Sequence, residues 1–170
     1  MWTYEHSLDT EAAPEAIWRL WADVGNWGAW NADIRSIRFD GPFAAGAEIV
    51  MNPDGEEPVH LVVTETVPGE LFVDEARFGG MVLRTTHRID RDGSGRGGSG
   101  RCGSGRGGSS RGGSGRGGSG RGKGEGTRIR VTYRMEITGE GADEFGPKIG
   151  PAVTEDWPET MAALVEAARR

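Results

Sequence analysis

"TRIRVTYRMEITG" occupies residues 127–139. Ile129, Val131, Tyr133, Met135 and Ile137 alternate with Arg128, Arg130, Thr132, Arg134 and Glu136. A period of two with one apolar side belongs to a strand that buries one face and wets the other. Upstream, "MVLRTTHRIDRD" (81–92) sets Met81, Leu83, Thr85, His87 and Ile89 on one face in the same way. Two such strands in succession predict a hairpin.

Between them stands "GSGRGGSGRCGSGRGGSSRGGSGRGGSGRG", residues 93–122, six pentamers with Arg at 96, 101, 106, 111, 116 and 121. Cys102 and Ser110 are its two departures from the repeat. No unit carries an apolar side chain, so nothing offsets the conformational entropy of ordering it. The composition predicts a disordered linker, and 93–126 read as an insertion in a hairpin loop. Closure entropy grows only logarithmically with loop length, so an insertion there costs the fold little. The alternative is an Arg/Gly arm that associates weakly with RNA. The tract lacks the aromatics that stack on bases, and Cys102 has no neighbouring His to make it a nucleophile.

At 170 residues the chain is expected to be a single domain. The tract holds six of the 20 Lys+Arg and none of the 26 Asp+Glu, so the rest carries 14 bases against 26 acids, a formal −12. Such a body repels nucleic acid and anionic membranes. One cysteine makes no disulfide framework, and no metal-ligand spacing is present. No signal segment or membrane span is readable. The expectations are a cytoplasmic protein with no cofactor and no metal.

Working outward, "WTYEHSL" (2–8), "IRSIRF" (34–39), "AEIVMN" (47–52), "PVHLVVTETV" (58–67) and "ELFVDEARF" (70–78) complete seven strands. Pro68-Gly69 and Gly79-Gly80 are turn signals between successive strands. "PEAIWRLWADV" (14–24) reads as a helix with Pro14 in its first turn, followed by a short helical turn at "NWGAWN" (26–31). "PAVTEDWPETMAALVEAARR" (151–170) reads as the long helix, with Val153, Trp157, Met161, Leu164 and Ala168 on one stripe. Pro158 should kink it or open a second piece capped by Asp156.

The order is strand, two short helices, six strands, long C-terminal helix. With "PEAIWRLWADVGNWGAWNADI", "FGGMVLRTTHRID" and "YRMEITGEGADEFGPKIGPAVTEDWPETMAALVEAA", it resembles the α+β helix-grip fold of the SRPBCC superfamily. That group includes START domains, birch-pollen-allergen relatives and polyketide cyclase/dehydrase-like proteins. The resemblance covers the whole chain except 93–126. It implies a curved antiparallel sheet around the long helix and a cavity between them for a small hydrophobic or lipid-like ligand.

The two turns set a register. Phe78 should oppose Met81, Ala76 Leu83, Asp74 Thr85, and Phe72 His87; Val63 should oppose Asp74, and Glu65 Phe72. Glu75 falls beside Arg84 on the other face, a plausible cross-strand ion pair. The inward face then carries Phe72, Phe78, Leu83, Thr85, Val131 and Tyr133, interrupted by Glu65, Asp74 and His87. Trp30 and Trp157 join them from the helices, although each tryptophan also reads as simple packing. All of these are candidate ligand contacts.

Acids that face a core are rare unless paired or wet. One reading is acid/base work: His87 shuttles a proton near neutral pH, oriented by Glu65, while Asp74 or Tyr133 activates or hydrogen-bonds a ligand carbonyl. The other leaves them hydrogen-bonded to one another or to water at a cavity rim. His6 reads as packed and His60 as solvated. The functions to be weighed are a binding module for a small hydrophobic or aromatic ligand, a polyketide cyclase/dehydratase-type enzyme, and RNA association through the tract.

Overall fold

A computed structural model describes residues 1–91 and 128–170. Seven strands form one antiparallel sheet: β1 (Trp2–Thr10), β2 (Ile34–Phe39), β3 (Glu48–Pro53), β4 (Val59–Val67), β5 (Leu71–Phe78), β6 (Met81–Arg91) and β7 (Ile129–Gly139). Their spatial order is β1-β7-β6-β5-β4-β3-β2. Strands β2 to β7 form a meander, and β1 closes it by pairing with β7.

The hairpin of β6 and β7 runs from Met81↔Gly139 to Arg91↔Ile129 without a shift. Ile129, Val131, Tyr133, Met135 and Ile137 are all buried, as alternation requires. Thr132, on the opposite face, is buried as well, its hydroxyl 2.9 Å from that of Ser7. The Gly/Ser/Arg tract, with Cys102, lies outside the described residues.

Turns fix the neighbouring registers. Gly69, at φ +77°, follows Pro68, and the Glu70 N–H donates to the Val67 carbonyl at 2.9 Å. This is the turn that wants Pro and then a residue free to take positive φ. Across Gly79-Gly80 the register is Phe78↔Met81 through Phe72↔His87, as expected. Arg84 Nη1 meets Glu75 Oε1 at 2.9 Å on the outer face.

Helix α1 (Pro14–Ala22) starts at its proline, and a 3-10 turn over Val24–Ala29 follows it. The C-terminal helical region begins nine residues earlier than expected, because α2 (Ala142–Thr154) includes Gly146, Pro147, Gly150 and Pro151. Helix α3 (Trp157–Ala168) completes it. The break falls at Glu155–Asp156, just before Pro158. Asp156 stands at the N-cap, but its carboxylate accepts the Thr160 hydroxyl (3.0 Å) rather than a backbone N–H.

Trp2 explains the glycines of α2. A Cβ on Gly146 or Gly150 would lie 2.6 or 2.5 Å from Trp2 side-chain atoms. The indole packs into the groove that the missing side chains leave. Ile17, Trp21, Met161 and Leu164, fully buried from α1 and α3, build the core with the inner face of β7. No helix among the described residues is long and apolar enough to cross a membrane.

Candidate functional site

A cavity of about 620 Å³ opens between the inner face of β4–β7, the loop after the 3-10 turn and the α2–α3 break. Its walls are aromatic: Trp21, Trp27, Trp30, Phe72, Tyr133 and Trp157. Strand alternation delivers Phe72 and Asp74 from β5, Leu83, Thr85 and His87 from β6, and Tyr133 and Met135 from β7.

The structure brings Phe72, Leu83, Thr85, Tyr133, Trp30 and Trp157 into this lining, together with His87 and Asp74. Three other expectations need correction. Glu65 is exposed and lies 4.0 Å from Arg84 on the outer face. The register shifts between Val63 and Glu65, so Glu65 pairs with Val73 and not with Phe72. Within β4, an extra residue at Thr64 turns the following side chain to the opposite side of the sheet. Phe78 is 64% exposed at the turn end of β5 and does not line the cavity. Val131 is wholly buried in the core and does not line the cavity.

His87 is held on several sides. Its ring stacks on Phe72 with centroids 3.9 Å apart and planes 5° from parallel, and the Tyr133 ring meets it edge-on at 4.4 Å. Trp21 lies 5.9 Å away, also edge-on. Among the described residues its buried Nδ1 has no hydrogen-bond partner, and the nearest Asp74 oxygen is 3.7 Å away, too far for a hydrogen bond. A buried polar atom left unpaired costs about 1–3 kcal/mol, and such atoms in native proteins call for an explanation.

Burial penalises charge on both groups. It pushes the Asp74 carboxyl up to about 7, with Glu75 adding repulsion. It pushes His87 down to about 3, outweighing the opposing effect of the Phe72 backbone. Near neutral pH the imidazole is therefore uncharged, and Asp74 holds its proton far more strongly than an exposed aspartate does. Of the two, Asp74 is the group that burial brings to titrate near neutrality, while His87 stays a neutral hydrogen-bonding ring.

Tyr133 is poised differently. Trp21 Nε1 donates to its hydroxyl oxygen at 3.1 Å. An indole N–H accepts nothing, so the phenolic proton remains available for another acceptor. Burial raises the Tyr133 pKa further, which keeps that proton in place.

Several lining residues carry no periodic signal in the sequence. Asp33 precedes β2, and Asp156 stands in the helix break. Asp156 was legible as a cap but not as part of a cavity rim. Its carboxyl is raised by partial burial, with Asp33 beside it opposing ionisation. Trp21 reads as a packed helix residue, and it is both packed and part of the wall.

No protein-family profile and no curated protein matches the chain. Solved structures do. Norcoclaurine synthase from Thalictrum flavum, in complex with dopamine and hydroxybenzaldehyde, is similar at a TM-score of 0.64 with 12% identity, over 97% of this chain and 84% of that one. The di-domain ARO/CYC protein BexL of the BE-7585A biosynthetic pathway gives 0.62 with 10% identity, over 99% of this chain and 50% of its own. Ara h 8.0201 gives 0.57 with 11% identity, over 99% of both chains. At these identities the likeness is one of architecture. The seven-stranded sheet, the short helices after β1 and the broken C-terminal helix together give this chain the helix-grip fold of the SRPBCC and birch-pollen-allergen-like proteins.

Proposed function

We propose that the chain binds a small apolar or aromatic molecule in the cavity between sheet and C-terminal helices. The observation that carries this reading is the unpartnered His87 Nδ1 in an aromatic-walled cavity of about 620 Å³. A volume in the range of small-molecule sites, mostly apolar walls and a few convergent polar groups are what such a ligand requires. A guest with a hydroxyl would satisfy His87, and one with a carbonyl would take the free proton of Tyr133. Native mass spectrometry of the protein purified from its source tests the reading. It predicts a co-purifying small molecule, released on denaturation. A bare chain that also fails to take up aromatic probes would contradict it.

The pairing of Asp74 and His87 favours a second reading, an enzyme of the cyclase or dehydratase kind. A carboxyl that titrates near neutrality can, as carboxylate, take a proton from the carbon beside a carbonyl and then return it to a leaving hydroxyl, with the neutral His87 ring as a hydrogen-bonding partner. BexL, a structural neighbour, is described as an ARO/CYC protein. Under this reading Asp74→Asn and His87→Ala each lower turnover by about 10²–10⁴-fold. Ligand affinity stays within a few fold. Loss of binding in step with turnover would leave the pair a binding role only.

A further inference from the structure

The cavity has a charge as well as a shape. Six acidic side chains line it, at Asp33, Asp54, Glu56, Asp74, Glu155 and Asp156, and no Lys or Arg stands among the lining residues. Arg35 reaches Asp54 from outside at 3.6 Å, both side chains being well exposed. Among the described residues Asp33, Glu56, Glu155 and Asp156 have no Lys or Arg at ion-pair distance, and Asp74 faces only His87, at 3.7 Å. Two sit side by side at the mouth: Asp33 from the loop before β2, and Asp156 from the break between α2 and α3. Deeper in, the Asp74 side chain is 6% exposed and makes no hydrogen bond among the described residues. The half-buried Trp30 and the buried Trp27, with ring centroids 6.3 Å apart, line the same cavity.

Carboxylates and aromatic faces together attract one kind of guest. The faces of indole rings carry negative potential and hold cations. An anion such as a fatty acid carboxylate would meet repulsion on entry. A metal ion fits poorly, since no three His, Cys, Asp or Glu side chains among the described residues converge to hold one. We propose that the cavity takes an organic ammonium ion, an amine on an aromatic or apolar body, with its cationic nitrogen between Asp33 and Asp156. The body then lies along Trp30 and Phe72. A neutral hydroxyl or carbonyl at its far end meets Tyr133, His87 and Asp74. This names the ligand class for the binding reading above and rests on it.

The test uses the full chain and three probes of one shape: 1-naphthylmethylamine, 1-naphthalenemethanol and 1-naphthoate, titrated calorimetrically at pH 7 in low salt. The amine should bind about tenfold more tightly than the alcohol, roughly the worth of one charge-assisted contact, and the carboxylate should bind weakest. Added salt should narrow the gap between amine and alcohol. The D33N/D156N variant should bring the amine to the affinity of the alcohol while the alcohol itself is unaffected. Equal or tighter binding of the alcohol or the carboxylate to the unaltered chain overturns the cation assignment and leaves the cavity reading standing. No binding of any of the three overturns both. Because the probe series runs on the unaltered chain, it decides the matter even if the double variant folds poorly.

Discussion

Asp74 and His87 are the residues at which chemistry and stability are tied together. Asp74 has a folded pKa of about 7, raised by burial from an ordinary 3.8. A raised pKa means that its favourable contribution is complete below about pH 4 and is lost as pH rises through 7. His87, lowered to about 3, runs the other way. Its contribution is complete above about 6.5 and is lost as pH falls toward 3. Between about pH 4 and 6.5 the unfolded chain carries the proton on histidine and the folded chain carries it on aspartate, so the pair adds almost no slope. Asp74→Asn removes the carboxylate's share alone. Its stability relative to the unaltered chain should rise by the order of 1–4 kcal/mol between pH 4 and 8, measured by urea unfolding across that range. A difference that does not change with pH would show that Asp74 titrates as an exposed acid does. Tyr133→Phe probes a different dependence. It strands the buried Trp21 N–H and should cost about 1–3 kcal/mol. Tyr133→Gln, whose amide oxygen can accept from the indole, separates loss of an acceptor from loss of a ring. An unchanged unfolding midpoint in Tyr133→Phe would mean that Trp21 finds another partner.

Among the elements, the β5–β6–β7 register was legible because glycine turns and strict alternation point the same way. Phe72 opposite His87 and Asp74 opposite Thr85 follow from Gly79-Gly80 by counting. The bulge that turns Glu65 outward was not legible, since Thr64 has nothing in its chemistry that marks an extra residue. Phe78 misled for a different reason: alternation assigns a face but does not say how far along a strand that face stays covered. The start of α2 was obscured by Gly146, Pro147, Gly150 and Pro151, which ordinarily argue against a helix. Contact with Trp2 on a distant strand reverses that argument, and local propensity cannot register it. Gly150→Ala gives the clearest test. In an open helix it would stabilise by up to about 1 kcal/mol. Here a Cβ meets the Trp2 ring at 2.5 Å, so thermal melting should show a loss, and Trp2→Ala should reduce or remove it. A stabilised Gly150→Ala protein would show that the ring moves aside freely.

For the whole molecule, the sequence disclosed the sheet, the helix order and the presence of a cavity better than it disclosed the charge around the opening. Asp33, Glu155 and Asp156 lie far apart or in breaks, and only the packing of α3 against the rest brings them to one rim. We propose that residues 93–126 are an insertion that the domain does not need. Strands β6 and β7 stay paired to Arg91↔Ile129, and Ile89 and Val131 are buried just inside that end. Excising 93–122 should therefore leave the melting temperature and the affinity for an aromatic probe unchanged, whereas a fall in either would give the tract a part in the fold. The central claim is that a small guest enters between the sheet and the C-terminal helices and reaches Asp74 and His87. Its most direct test is a nuclear magnetic resonance titration of the full chain with 1-naphthylmethylamine. Resonances of Trp30, Phe72, His87 and Thr160 should shift together and saturate, while those of His60, Glu65 and Arg84 on the outer face stay still. Shifts confined to the outer face, or no shifts at millimolar probe, would contradict the claim.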